Sequence, residues 1–239
     1  MIWTISDLHL SIAKPKPMDI FGDRWKNHPE RIAAAWRATI QPEDTVLIAG
    51  DISWAMKINE ALLDLAWVDA LPGKKVMIRG NHDYWCPRSV GAVRRHAPPS
   101  IALIGGEAVD IGEAVVCGTR GWVTPGTPGF SPKTDQSIYE RELRLLDRAL
   151  EQARALAQGQ KPIIVMIHYP PYNEHKPTEF AQRINASGAS ACIYGHLHRP
   201  YDWGQAKQGC SDEGVFYQLT SCDYLGFRPV GVRGLSRES

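Results

Sequence analysis

The chain has 239 residues, 44% hydrophobic and 22% charged, which is enough apolar material for one large domain with its own core. Its 27 basic and 26 acidic side chains leave a formal charge of +1, so no global field draws it to nucleic acid or to an anionic membrane. No stretch approaches the roughly 20 apolar residues of a membrane-spanning helix, and a charged motif at Asp7 leaves no room for a leader peptide, so the cytoplasm is the expected compartment.

Residues 2–5 form a short apolar run ending in turn residues, and the pattern recurs at 45–49, 75–78, 114–117, 163–167 and 191–194. Their length and β-branched content predict buried strands. In the intervals, 29–40 places Ile32, Ala35 and Trp36 on one helical face, and Asn59 can cap a segment in which Leu62, Leu63, Ala66 and Trp67 recur at helical spacing. The longest helical pattern is 135–159, with Ile138, Leu143, Leu146, Leu150 and Ala153 as its stripe and Gly159 as its stop. Residues 11–26 and 121–133 read as loops, and 215–219 and 229–232 as strands of a helix-free tail. The order predicts two packed sheets flanked by helices, in one domain covering 1–239. Five scattered cysteines without a Cys-x-x-Cys pair are expected to be reduced core residues.

Five polar clusters fall at the carboxyl ends of predicted strands, where open α/β sheets place ligand sites. They are Asp7-Leu8-His9, Gly50-Asp51, Gly80-Asn81-His82-Asp83, His168 and Gly195-His196-Leu197-His198. Each alone is ordinary turn chemistry. Together they repeat carboxylate, amide and imidazole at successive strand tips, a set that suits first-row divalent ions better than the all-oxygen cages of Mg or Ca. His196 and His198 leave an extended segment on the same side, so both can reach one centre.

In this order, D-x-H, G-D, G-N-H-D, H and G-H-x-H resemble the calcineurin-like metallophosphoesterase superfamily, over residues 7–198. The resemblance implies an α/β fold of four layers, α/β/β/α, with two mixed sheets. It implies two divalent ions, Mn as the first choice and Fe or Zn next. Asp7, His9, Asp51 and His198 would hold one; Asp51, Asn81, His168 and His196 would hold the other, with Asp51 bridging. A water between the ions would attack phosphorus in line. His82 matches the family's catalytic histidine and would protonate the departing oxygen, with Asp83 either orienting it or capping the next turn.

Gly50-Asp51-Ile52-Ser53-Trp54 departs from the G-D-x-x-D-R-G form of the Ser/Thr protein phosphatases and lacks their phosphate-gripping arginine. The expected substrate is therefore a small phosphorylated metabolite or nucleotide, monoester or diester. Arg120, Trp54, Tyr84 and Tyr169 are the candidate contacts for it, with Trp85, Trp122, Arg199, Tyr201 and the mobile charges Lys14, Lys16 and Lys26 nearby in sequence. An arginine at position 120 could clamp phosphate bidentately. Two alternatives are a nuclease, which would need a basic groove, and an inactive scaffold, which should have lost ligands. The oligomeric state is not readable.

Overall fold

The computed structural model describes residues 1–87 and 90–235. The strands are β1 (Ile2–Thr4), β2 (Thr45–Ala49), β3 (Lys74–Ile78), β4 (Ile101–Leu103), β5 (Glu107–Asp110), β6 (Val115–Thr119), β7 (Ile163–Ile167), β8 (Tyr172–Asn173), β9 (Lys176–Pro177), β10 (Ala191–Tyr194), β11 (Gly209–Cys210), β12 (Phe216–Leu219) and β13 (Val230–Gly231). The helices are α1 (His28–Thr39), α2 (Ile58–Asp69), α3 (Gly91–Arg94), α4 (Pro132–Ala157), α5 (Glu179–Asn185) and α6 (Pro200–Gln205).

One sheet runs β13-β1-β2-β3-β4 and the other β11-β12-β10-β7-β6-β5, with a small β8-β9 hairpin apart. Neighbouring inner strands are parallel, and β13, β11 and β5 are the antiparallel edges. Parallel strands covered on both faces need unbroken apolar runs, and β2, β7 and β10 are buried along their whole length. Leu47, Val76, Val116, Ile164, Met166 and Ile193 interleave in the layer that joins the sheets. Outside the first sheet, Ile32, Trp36, Leu65 and Val68 of α1 and α2 pack with Ile48 and Met77. Outside the second, Leu146, Leu150, Phe180 and Ile184 of α4 and α5 pack with Val165 and Cys192. The result is the expected four-layer α/β/β/α sandwich. No helix among the described residues is long and apolar enough to cross a membrane.

Two helices depart from the sequence reading. In α2 the buried face is Ala61, Asp64, Leu65 and Val68, while Leu63 is exposed and Lys57, not Asn59, stands at the N-cap. The cause is Asp64, a buried carboxylate that accepts from Ile12 N and Ser53 Oγ and so claims the inner face from a more apolar neighbour. In α4, Pro132 opens the first turn inside the expected loop, and Gln158 in the left-handed region ends the helix one residue before Gly159. Its stripe includes Tyr139 and Glu142 in place of the half-buried Ile138. Truncating Ile164→Ala, in the layer between the sheets, is expected to cost about 2–5 kcal/mol in urea unfolding.

Candidate metal centre

The polar clusters meet across the carboxyl ends of both sheets. Main-chain bonds lock the loops to one another: Asp7 N donates to Gly50 O (2.9 Å), His9 N to Asp51 O (3.0 Å) and Gly195 N to His168 O (3.2 Å). Asp7, His9, Asp51 and His196 all have positive φ, at 58°, 46°, 52° and 76°. Left-handed backbone in non-glycine residues costs energy and persists where surrounding structure holds it, as at ligand clamps. The motif glycines serve close approach. A Cβ at Gly80 would collide with the Asp51 carboxylate, and one at Gly195 with that of Asp7.

Two groups of ligand atoms result. Asp7, His9 and His198 form one, and Asp7, Asp51 and His168 the other. In the first, Asp7 Oδ1 is 3.5 Å from His198 Nε2, which is 3.3 Å from His9 Nε2. In the second, Asp51 Oδ2 is 3.4 Å from His168 Nε2 and 3.9 Å from His9 Nε2, so it reaches toward both groups, while its Oδ1 accepts from His82 N (2.8 Å). Asn81 Oδ1 lies 2.7 Å from His168 Nε2 and 2.8 Å from His196 Nδ1. All seven expected ligand residues thus come together.

The donor set fits cations. His168 Nδ1 donates to Ala49 O (2.9 Å), which leaves a lone pair on Nε2 facing the Asn81 oxygen. Acceptor against acceptor at that distance needs a metal ion or a proton between them. The pKa directions show which groups carry charge. Burial alone would raise Asp7, yet its hydrogen bond and charge pairing with His198 outweigh burial and lower it to about 2. Asp51 is likewise held ionised against burial by His168. Burial would lower His168 and His198, but Asp51 raises the first to about 9, and Asp223 with Asp7 raises the second to about 10. His9 and His196, in contrast, are lowered to about 3 by burial. Protonated His168 and His198 balance the two buried carboxylates, and a cation bound to the same atoms would take the place of those protons.

Asp223 was not anticipated from sequence. Its Oδ1 accepts from His198 Nδ1 (3.0 Å), which turns Nε2 inward, and Arg24 stands 3.2 Å from its Oδ2. Nothing in Ser221-Cys222-Asp223 signals this, because the contact depends on β12 ending beside β10. Since such carboxylate partners set imidazole basicity, Asp223→Ala should weaken metal binding about 10–100-fold in a chelator competition.

His82 stands beside the ligands, its ring 4.3 Å from Trp54 and 5.7 Å from His9, with the Tyr84 hydroxyl 3.5 Å from Nδ1. Burial lowers its pKa. Trp54 also stacks on His9 (4.9 Å) and carries Lys16 Nζ 3.4 Å above its ring. Among the described residues, the hydrogen bonds of the Asp83 carboxylate go to groups other than the His82 side chain. Its carboxylate accepts from the main-chain N of Gly80 (2.7 Å), Ile52 (2.9 Å) and Ser53 (3.0 Å) and from Trp85 Nε1 (3.0 Å). It ties the Gly80–His82 loop to the Asp51 loop, contacts that suit a positioning role. Burial, with the Asp51 charge second, raises it to about 6.

The remaining candidates divide. Tyr169 is buried and packs 4.4 Å from the His196 ring. Arg120 lies over Trp122 (4.1 Å) and 3.6 Å from buried Glu142, which Arg79 and Arg141 also face. A guanidinium is held there because Glu142 is the carboxylate that β6, β3 and α4 enclose. Trp85 is buried core, Tyr201 is exposed, Arg199 pairs with Asp202, and Lys14 and Lys26 pair with Glu60 and Asp23.

Two packed sheets with a strand-tip cluster of carboxylate, amide and imidazole define a metal-binding α/β sandwich. A family model described as calcineurin-like phosphoesterase matches residues 1–200, and the chain belongs to that family. It is 35% identical over 81 residues to the Gene 66 protein of Mycobacterium phage L5 and 40% over 86 residues to that of phage D29; each match covers 34% of this chain. The chain spans about two fifths of the length of these curated relatives (39% and 40%). Among solved structures it is similar to a phosphopantetheinyl hydrolase from Mycobacterium tuberculosis, with TM-score 0.52 and 17% identity over 96% of this chain and 95% of that one. It is also similar to AQ665 from Aquifex aeolicus, a protein of unknown function, with TM-score 0.46 and 16% identity over 96% and 94%.

Proposed function

We propose that the chain is a metal-dependent phosphoester hydrolase working as one domain over residues 1–239. The convergence of Asp7, His9, Asp51, Asn81, His168, His196 and His198 carries this reading, with family membership in support. Asp7, His9, Asp51 and His198 would hold one divalent ion and Asp51, Asn81, His168 and His196 the second, Mn being the first choice, then Fe or Zn. When bound, such a pair supplies an acidified water and neutralises the attacking and leaving oxygens of an in-line displacement. The chain does the rest. Ala49 O and Asp223 fix the imidazole tautomers, Asp83 fixes the loop, and His82, steadied by Trp54, gives its proton to the departing oxygen. Tyr84 and Tyr169 border the substrate, a small phosphorylated metabolite or nucleotide. The five unpaired cysteines support a cytoplasmic setting.

The complete ligand set speaks against an inactive scaffold. Chelator-treated protein given back Mn, Fe or Zn is expected to hydrolyse 4-nitrophenyl phosphate or bis(4-nitrophenyl) phosphate, and an acyl-free phosphopantetheinyl ester belongs in the same panel because of the solved relative. Absence of turnover on every ester at full metal occupancy would favour the scaffold.

A further inference from the structure

A groove of about 920 Å³ opens beside His196. Tyr169 forms its inner wall against the His196 ring, and Trp122 and Tyr172 continue the aromatic surface. The proline-glycine loop after Trp122 and the β8-β9 hairpin face one another across it, tied where Asn173 Nδ2 donates to Thr124 Oγ1 (2.7 Å). Gln136 and Gln205 add uncharged hydrogen-bonding groups.

Charge decides what fits. The groove presents Glu174, Glu179 and Asp202 against one lysine, Lys176, and among the described residues no arginine lines it. Arg183 and Arg199 already pair with Glu179 and Asp202, so the surface is close to neutral. A nucleic-acid backbone needs a basic track with stacking faces, and this groove offers the faces without the track. Its volume is that of a drug-sized ligand, far beyond a phosphate group.

We propose that the groove holds the non-reacting arm of the phosphoester substrate, and that this arm is an elongated, uncharged chain carrying amide or hydroxyl groups between apolar segments. The inference rests on the phosphoesterase reading and names its substrate class. Binding energy gathered along such an arm can be used at the reacting phosphorus.

Two 4-nitrophenyl phosphodiesters test it, one with a methyl second ester and one with a long amide-containing chain, each assayed in metal-loaded protein. The wild type should show a KM for the long-chain diester lower by at least about tenfold, the scale of one good aromatic contact. Tyr172→Ala, Trp122→Ala and the groove-filling Gln205→Trp should each shrink that ratio, while a thymidine oligonucleotide should compete weakly. Equal KM values with good turnover, a ratio that survives all three variants, or strong inhibition by the oligonucleotide would overturn the inference and leave hydrolysis standing. Calorimetry with the matching long-chain and methyl phosphonates reads the same contrast without turnover. Chain-independent phosphonate binding would overturn the groove assignment by itself, whereas the phosphoesterase reading falls only if no monoester or diester is hydrolysed at full metal occupancy.

Discussion

Asp51→Asn is expected to lower kcat/KM by at least ~1000-fold, about 4 kcal/mol of transition-state stabilisation, and to reduce bound metal below two ions per chain. This side chain sends one oxygen toward both His9 and His168. The amide keeps the size and can still accept from His82 N, so the loop survives while the shared negative charge is lost. Removing that charge also removes the main influence that holds the His168 pKa up against burial. Activity and metal content should therefore fall together, with the unfolding transition retained. Wild-type turnover in the variant would show that the carboxylate does not join the two groups.

His82→Ala should separate what Asp51→Asn joins. Its ring lies outside the ligand groups, against Trp54, so two ions should still bind while kcat falls about 100- to 10,000-fold, the range for a positioned general acid. Leaving groups supply the discriminating detail. An alkyl ester needs its departing oxygen protonated and should suffer the full loss, whereas 4-nitrophenolate leaves without help and should suffer far less. Equal losses for both, or metal lost in parallel, would remove His82 from that role.

The sequence made the centre of each sheet legible because strands buried on both faces leave unbroken apolar runs: β2, β7 and β10 have the boundaries expected for them. Edge strands carry no such signal. Glu107–Asp110 is half polar, and Gly209–Cys210 too short to show a period. The candidate metal ligands were legible for a different reason, since each sits directly behind a readable strand. Asp223 lies after β12 as well, but only the pairing of β12 with β10 brings it to His198, and pairing order is not written locally. Asp83 and Arg120 show the converse limit: motif position placed both near the site, but their partners, four donors for one and Glu142 for the other, were not legible. The inner face of α2 was misread because Asp64 occupies it.

Crystals grown with Mn and measured at its absorption edge address the central claim most directly. Two anomalous peaks about 3.5–4 Å apart, flanked by Asp7, His9 and His198 on one side and by Asn81, His168 and His196 on the other with Asp51 between them, are the expected result. A single peak, or peaks away from the Asp51 carboxylate at full occupancy, would contradict it.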